Sequence, residues 1–370
     1  MSSSGLEQET SAVAKKVASP ASMDTIAAYI NGQATSSMVA NFPVEMIWRV
    51  SENMDRTSAL NLDLACGTGN FNMVKQCFQI GGEHLVNDYF DQEKLSQSVR
   101  GFRKADVEIT PLIIAIDNGQ TDMVNYLLDK GADVNKGCPE MTVGVDNKEE
   151  PRDERYLPFY HLILAIGAHI LSKKDGCHLM DRFIENPSFD IDSPVMFEEK
   201  GKGTTALSLS VRWFANVNSR LPFWVIEKLL KAGASVRKSS WNSPYNFLNP
   251  MEDIIMAIQM FAIDDPSLSS TKLLKLFDRF LPLYPLDQPL SPATDYILPH
   301  LLRFNGYGPI FVTVVQKLVA AGVDVHTISI QRGRTPLQHI AYTLQWSPIA
   351  SCRPIARQLA ACLFAAGATH

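Results

Sequence analysis

Between Thr110 and Asn135 the apolar positions fall in two bursts with a polar turn between them. Leu112, Ile113, Ala115 and Ile116 make the apolar side of one short helix, and Met123, Val124, Tyr126, Leu127 and Leu128 recur at helical spacing to make a second. Thr110 can cap the first helix with its hydroxyl. Pro111, at the first helical position, gives up an N–H that would be orphaned anyway. Gly119 and Gly131 end the two helices, and Ala132-Asp133-Val134-Asn135 leads away as a turn. A helix pair this short cannot bury its own apolar faces, so the pattern predicts a similar pair stacked on each side.

The pattern recurs along the chain. Leu62 to Gly82 aligns with it without a gap: Leu64-Ala65 over Ile114-Ala115, Gly69 over Gly119, Met73-Val74 over Met123-Val124, and Gly81 over Gly131. Thr205-Ala206-Leu207 opens another unit that closes at Ala232-Gly233-Ala234, and Thr335-Pro336-Leu337 opens the last, which closes at Ala366-Gly367-Ala368. Worn copies lie between: Phe159 to Ile166 with Leu179 to Ile191, Met251 to Ile258 with Lys272 to Leu281, and Asp295 to Leu302 with Val314 to Val325. Inserted loops are expected at Lys136 to Arg155, Ala168 to Gly176, Ala262 to Ser270 and Leu344 to Pro354.

The stretch TPLIIAIDNGQTDMVNYLLDKGADVN resembles an ankyrin repeat, with TPL, the small residue after the first apolar burst, the middle glycine and GADVN in that family's order. The resemblance implies an all-α ankyrin-repeat solenoid of about seven degenerate helix pairs over residues 58–370, of a divergent, fungal type. Its closing glycines stand mostly about 40 to 55 residues apart, against about 33 in regular repeats. Residues 1–22 are polar, without the apolar core of a secretory signal, and read as a disordered tail. Residues 23–57 are expected to form helices that cap the stack. Within them Phe42 to Val50 resembles the first helix of an F-box, which would make the chain a substrate receptor of a ubiquitin ligase.

A different resemblance competes for the start of the repeats. Leu62 to Asn70, LDLACGTGN, is similar to the glycine-rich loop of S-adenosylmethionine-dependent methyltransferases, and Asp88 stands near the place of that family's ribose-binding acid. That reading requires a strand at Asp63 and another at Val86, in a parallel sheet that continues through further βα units.

Composition narrows the field. Hydrophobic residues make up 46% and charged residues 20% of the 370, which suits a folded chain with an ample core. The most apolar run, Leu157 to Leu171, is shorter than the ~20 residues of a membrane span and reads as a buried helix that carries His161 and His169. Six cysteines without a CxxC pair argue against a disulfide scaffold or structural zinc, and free thiols suit the cytoplasm or nucleus. A net charge of -5 argues against direct nucleic-acid binding across the surface, and Arg332 with Arg334 is too thin a basic group for a DNA footprint.

None of the eight histidines stands in a metal-ligand pair, and no GxSxG or P-loop occurs. Asp175, Cys177 and His178 are expected in a polar loop between two helices, and no catalytic, cofactor or metal site is expected. The ankyrin resemblance implies instead a non-enzymatic protein-interaction module, most concretely a transcription co-regulator acting through another protein. Its turn tips would offer Asp133, Asn135, Lys136, Arg237, Lys238, Asp324, His326 and Arg332, with Trp241 behind one tip and Trp346 in an inserted loop as aromatic anchors. The last helix carries Leu359, Ala360, Leu363 and Phe364, an alanine- and leucine-rich outer side with no polar capping unit after it, which points to cover by a partner, by a second copy through self-association of the C-terminal repeat, or by an inserted loop.

Overall fold

A computed structural model describes residues 57–81, 83–87, 90–91, 108–139, 155–198, 202–216, 219–238, 240–241, 247–261, 268–290, 294–303, 307–346 and 352–369. The expected tail, the F-box-like helix at Phe42 to Val50, Asp88 and most of the expected loop Lys136 to Arg155 lie outside them. The chain divides into two compact units, the first ending near Pro151 and the second running from Arg152 to His370 together with Val134–Gly137. Among the described residues there are fourteen α-helices, which form seven sequential pairs.

The first unit contains two pairs, α1 (Thr57–Thr68) with α2 (Phe71–Gly81) and α3 (Pro111–Asp117) with α4 (Thr121–Asp129). Thr110 caps α3 by accepting a bond from the Ile113 amide at 3.4 Å, and Pro111 sits at the first helical position. Gly119 turns the chain at φ 67°, so the amide of Gln120 reaches back to the carbonyl of Ala115. Only glycine takes that backbone region at little cost. α1 packs on α3, and Tyr126 of α4 stacks on Phe78 and meets the edge of Phe71 on α2. A two-residue antiparallel ladder joins β1 (Phe90–Asp91) to β2 (Glu108–Ile109), and β3 is Cys138–Pro139.

Helix α1 settles the competing motif. LDLACGTG is helical through Thr68 and turns at Gly69, while Val86 lies in a single 3-10 turn, Glu83–Asn87. The methyltransferase reading needed strands at both places, so it is corrected. The apolar Leu62, Ala65 and Cys66 are buried at helical spacing, and the glycine ends a helix instead of following a strand.

The second unit holds five pairs. They are α5 (Pro158–Gly167) with α6 (Lys173–Ile184), α7 (Ala206–Ala215) with α8 (Trp224–Lys231), α9 (Pro250–Phe261) with α10 (Leu268–Phe280), α11 (Ile297–Leu302) with α12 (Pro309–Ala320), and α13 (Pro336–Trp346) with α14 (Cys352–Ala365). The first helices form one row, α5 on α7, α7 on α9, α9 on α11 and α11 on α13; α10, α12 and α14 pack in a second row. Phe159, Phe183, Phe277, Phe280 and Phe311 are the largest fully buried side chains between the rows. Fully burying a side chain of this size contributes about 1.5–3 kcal/mol. The turns at the edge carry short antiparallel strands: β4 (Arg155–Tyr156) on β5 (Pro194–Glu198), β5 on β6 (Lys202–Thr205), and β7 (Ser240–Trp241) on β8 (Phe247–Leu248).

Three local expectations are corrected here. Ala168 to Gly176 is not an inserted loop: α6 begins at Lys173, so Asp175, Cys177 and His178 are helical, and Ser172 caps the helix by bonding the Asp175 amide. His169 does not lie in a helix. It follows the end of α5 at φ 58°, in the slot that Gly119 fills in the regular repeat. Trp346 is the last residue of α13 and not part of a loop.

Candidate interaction surface

Two of the turn tips are built by their own short polar side chains. Asp324 accepts from the His326 amide at 2.9 Å and from the Thr327 hydroxyl at 2.9 Å, and these bonds, led by the backbone one, hold its carboxyl below the usual range. Asp190 repeats the device with the Asp192 amide and the Ser193 hydroxyl. Successive tips are tied together: Asn135 donates to the Ser188 carbonyl at 2.7 Å, and Asp192 accepts from the Ser235 amide at 2.8 Å. In the first unit Asn87 accepts from the Asp133 amide at 2.7 Å and donates to the Gly131 carbonyl at 3.1 Å. Local side-chain bonds of this kind are why Asp, Asn and Ser crowd the tips.

Behind the tips runs a buried polar chain. Asn249 and Glu252 form a reciprocal cap at the start of α9, the Glu252 amide to Asn249 at 3.0 Å and the Asn249 amide to Glu252 at 2.7 Å. Glu252 also accepts from the Thr294 hydroxyl, while Asn249 donates to Tyr284 and to the Leu290 carbonyl. Asp295, fully buried, accepts from the Ser329 hydroxyl at 2.6 Å and from the Ile330 amide. Three consecutive helix pairs are thereby held in register by groups that would each be costly to leave unpaired.

The last finger is a tight hairpin. The Ser329 amide bonds the Arg334 carbonyl and the Gly333 amide bonds the Ser329 carbonyl, both at 2.8 Å, with Gly333 at φ 62°. It places Arg332 in solvent and Arg334 over the ring of Tyr342 on α13, 4.1 Å from the ring centre. Arg303, at the end of α11, reaches the finger through Gln331 at 2.8 Å. Between these groups His339 is buried with Nε2 unpartnered; burial first, then Arg332 and Arg334, depress its pKa to about 4. His300 on α11 is buried with Nδ1 unpartnered, and burial, aided by Arg303, pushes it down to about 3. Asp253 on α9 is ion-paired to Arg212 at 3.2 Å, yet burial still raises its carboxyl to about 6.

Of the sequence-predicted residues, Asp133 falls in the first unit and the others in the second. Asp133, Asn135, Arg237, Lys238, Asp324, His326 and Arg332 are exposed, and Lys136 is half-buried. Two of the side chains have structural partners: Asn135 ties neighbouring tips, and Arg237 bonds Gln288. Trp241 stands on β7 in register with Phe247. Trp346 is 64% exposed. Arg303, Arg334 and Tyr342, which the sequence reading did not group with Arg332, are brought beside it by the α11–α13 packing. Among the described residues no three His, Cys, Asp or Glu side chains come together as a metal site, and no helix is long and apolar enough to cross a membrane.

Residues 26–138 match the family model described as ankyrin repeats in three copies. No curated protein matches the sequence. Among solved structures the chain is similar to the ankyrin repeat domain of Bcl-3, described as a unique member of the IkappaB protein family. Identity is 14%, the TM-score is 0.46, and the match covers 82% of this chain and 97% of that one.

Proposed function

We propose that this chain is a non-enzymatic protein-interaction module and, at its most concrete, a regulatory partner in transcription working in the nucleus or cytoplasm through another protein. The observation that carries the reading is the row of exposed tip residues. Asp324, His326 and Arg332 project from a backbone fixed by side-chain bonds, and Trp346 stands exposed on the neighbouring helix. Rigid polar tips lower the ordering cost of binding, and the exposed tryptophan at the far end of α13 offers an anchor. The ankyrin match over residues 26–138 supports a protein partner. The transcriptional role rests on the resemblance alone; self-association through the C-terminal repeat rests on the exposed Phe364 of the last helix.

The test is affinity capture of the tagged full-length chain from its native cells, with protein identification by mass spectrometry. The expected result is a stoichiometric partner lost on charge reversal at the tips, Arg237→Glu with Lys238→Glu or Arg332→Glu. A DNA-binding protein among such partners supports the co-regulator role, and a partner with no link to transcription overturns it. Failure to retain any stoichiometric partner overturns the interaction reading itself.

A further inference from the structure

The exposed residues of α13 are Gln338, Ala341, Tyr342, Gln345 and Trp346, a stripe one turn apart that forms a lane along the helix. At its head stand Arg303, Arg332 and Arg334. None of the three makes an ion pair with a carboxylate among the described residues; the nearby Asp295 is buried and committed to Ser329 and Ile330. Arg334 lies over Tyr342, and the Tyr342 ring lies 6.4 Å from that of Trp346, so the cationic head runs directly into an aromatic tail. Asp295 and Glu252 act on Arg303 from within the fold, which leaves Arg332 and Arg334 as two cations with no ion-paired carboxylate among the described residues, in a chain whose net charge is -5.

We propose that this lane is the docking site of a protein segment in which two or more carboxylates precede a bulky apolar side chain. The proposal rests on the interaction reading and adds the chemistry of what is bound. The carboxylates meet the guanidinium groups, Arg being the side chain best suited to paired hydrogen bonds with them. The apolar residue settles on Tyr342 and Trp346. The eight steps from Gln338 to Trp346 span about 12 Å of helix, which sets the distance between the two features, roughly four residues of extended peptide.

Fluorescence anisotropy with the full chain tests it. The probe is a labelled short peptide of three glutamates, a Gly-Ser spacer and a leucine-tryptophan end; one control replaces the glutamates by lysines, another the apolar end by serines. The acidic-apolar probe should bind, both controls should bind at least about tenfold more weakly, and rising salt should weaken the complex. Arg332→Glu and Trp346→Ala are substitutions of exposed residues, checked for unchanged melting, and each should cost about tenfold or more. Equal binding of the lysine control, or wild-type binding by both variants, overturns the proposal. Tighter binding of single-stranded DNA that ignores Trp346→Ala assigns the arginines to a polyanion and also overturns it. So does a dimer abolished by Trp346→Ala, which would make the occupant a second copy. A partner captured from cells that is lost on Arg237→Glu with Lys238→Glu but kept on Arg332→Glu and Trp346→Ala leaves the interaction reading standing and removes this site alone.

Discussion

Replacing His300 by leucine should make the second unit less sensitive to acid. In the folded chain His300 resists protonation down to about pH 3 and His339 to about pH 4, because burial leaves their rings without a solvent shell for the charge. Both titrate near 6.5 when unfolded. Their pKa values are depressed on folding, so the stability they contribute is complete above 6.5 and is lost as the pH falls towards those lower values. Between pH 7 and pH 5 each histidine costs about 2 kcal/mol by this linkage. Asp253 acts in the opposite sense: its carboxyl, raised to about 6, takes a proton in the folded state first and returns about 1 kcal/mol. The net loss is about 2–3 kcal/mol, a large share of an ordinary domain's stability. Urea titrations at pH 7 and pH 5, followed by circular dichroism, measure it. His300→Leu should lose about 2 kcal/mol less than wild type over that interval. Equal losses in the two proteins would refute the assignment of the acid response to this buried ring.

Other substitutions test separate parts of the account. His169→Gly should raise stability by about 1 kcal/mol in the same titration, because it relieves a non-glycine residue at φ 58°. Asn249→Ala removes the α9 cap and the bonds to Tyr284 and Leu290, and should lower stability by about 2 kcal/mol or more; a smaller loss would mean the polar chain does not hold the pairs together. Asp253→Asn should remove the carboxyl that offsets the histidines, so the variant should lose about 1 kcal/mol more than wild type between pH 7 and pH 5, seen as a steeper melting profile over that window; an equal loss would count against a raised Asp253. For self-association, light scattering should show a smaller particle for Phe364→Glu than for wild type, since Phe364 is 48% exposed on α14; an unchanged monomer of unchanged stability removes the idea.

Much of the fold was legible because the regular repeat states its own mechanics. Thr110, Pro111, Gly119 and Gly131 do the capping and turning that their types imply, and that register carries directly to Thr205 and to Thr335, where Gln338 closes a reciprocal cap. The worn pairs were harder to place. Helix α6 starts at Lys173, several residues before its apolar stripe at Leu179, Met180 and Phe183, because its first turn is solvent-exposed and carries a Ser172–Asp175 cap. Apolar periodicity marks what is buried, so a helix end that buries little is invisible to it. Likewise the expectation of an alanine- and leucine-rich outer side on the last helix fails at Leu359 and Leu363, both fully buried. Arg353, Arg357 and Gln358 are exposed instead, and the apolar outer positions are Ala361, Phe364 and Ala365.

The candidate surface was less legible for a physical reason. A residue type at a turn tip does not reveal whether its side chain is spent inside the fold. Asn135 looks like an exposed polar tip and is one by area, yet its amide is used in tying adjacent tips. Asn249 and Glu252, by contrast, look like an unremarkable polar start to a helix and are buried at the centre of the chain that aligns three pairs. The arginines show the same principle in reverse. Arg332 and Arg334 alone are a thin pair, and Arg303 belongs to another helix; only the packing of α11 on α13 makes them one group, with Tyr342 as its floor. Mutually repelling cations are held together here because Asp295 fixes the backbone of the hairpin that carries two of them, through Ser329 and the Ile330 amide. The buried polar chain thus holds the repeats in register and also fixes the positions of the charges that face outward.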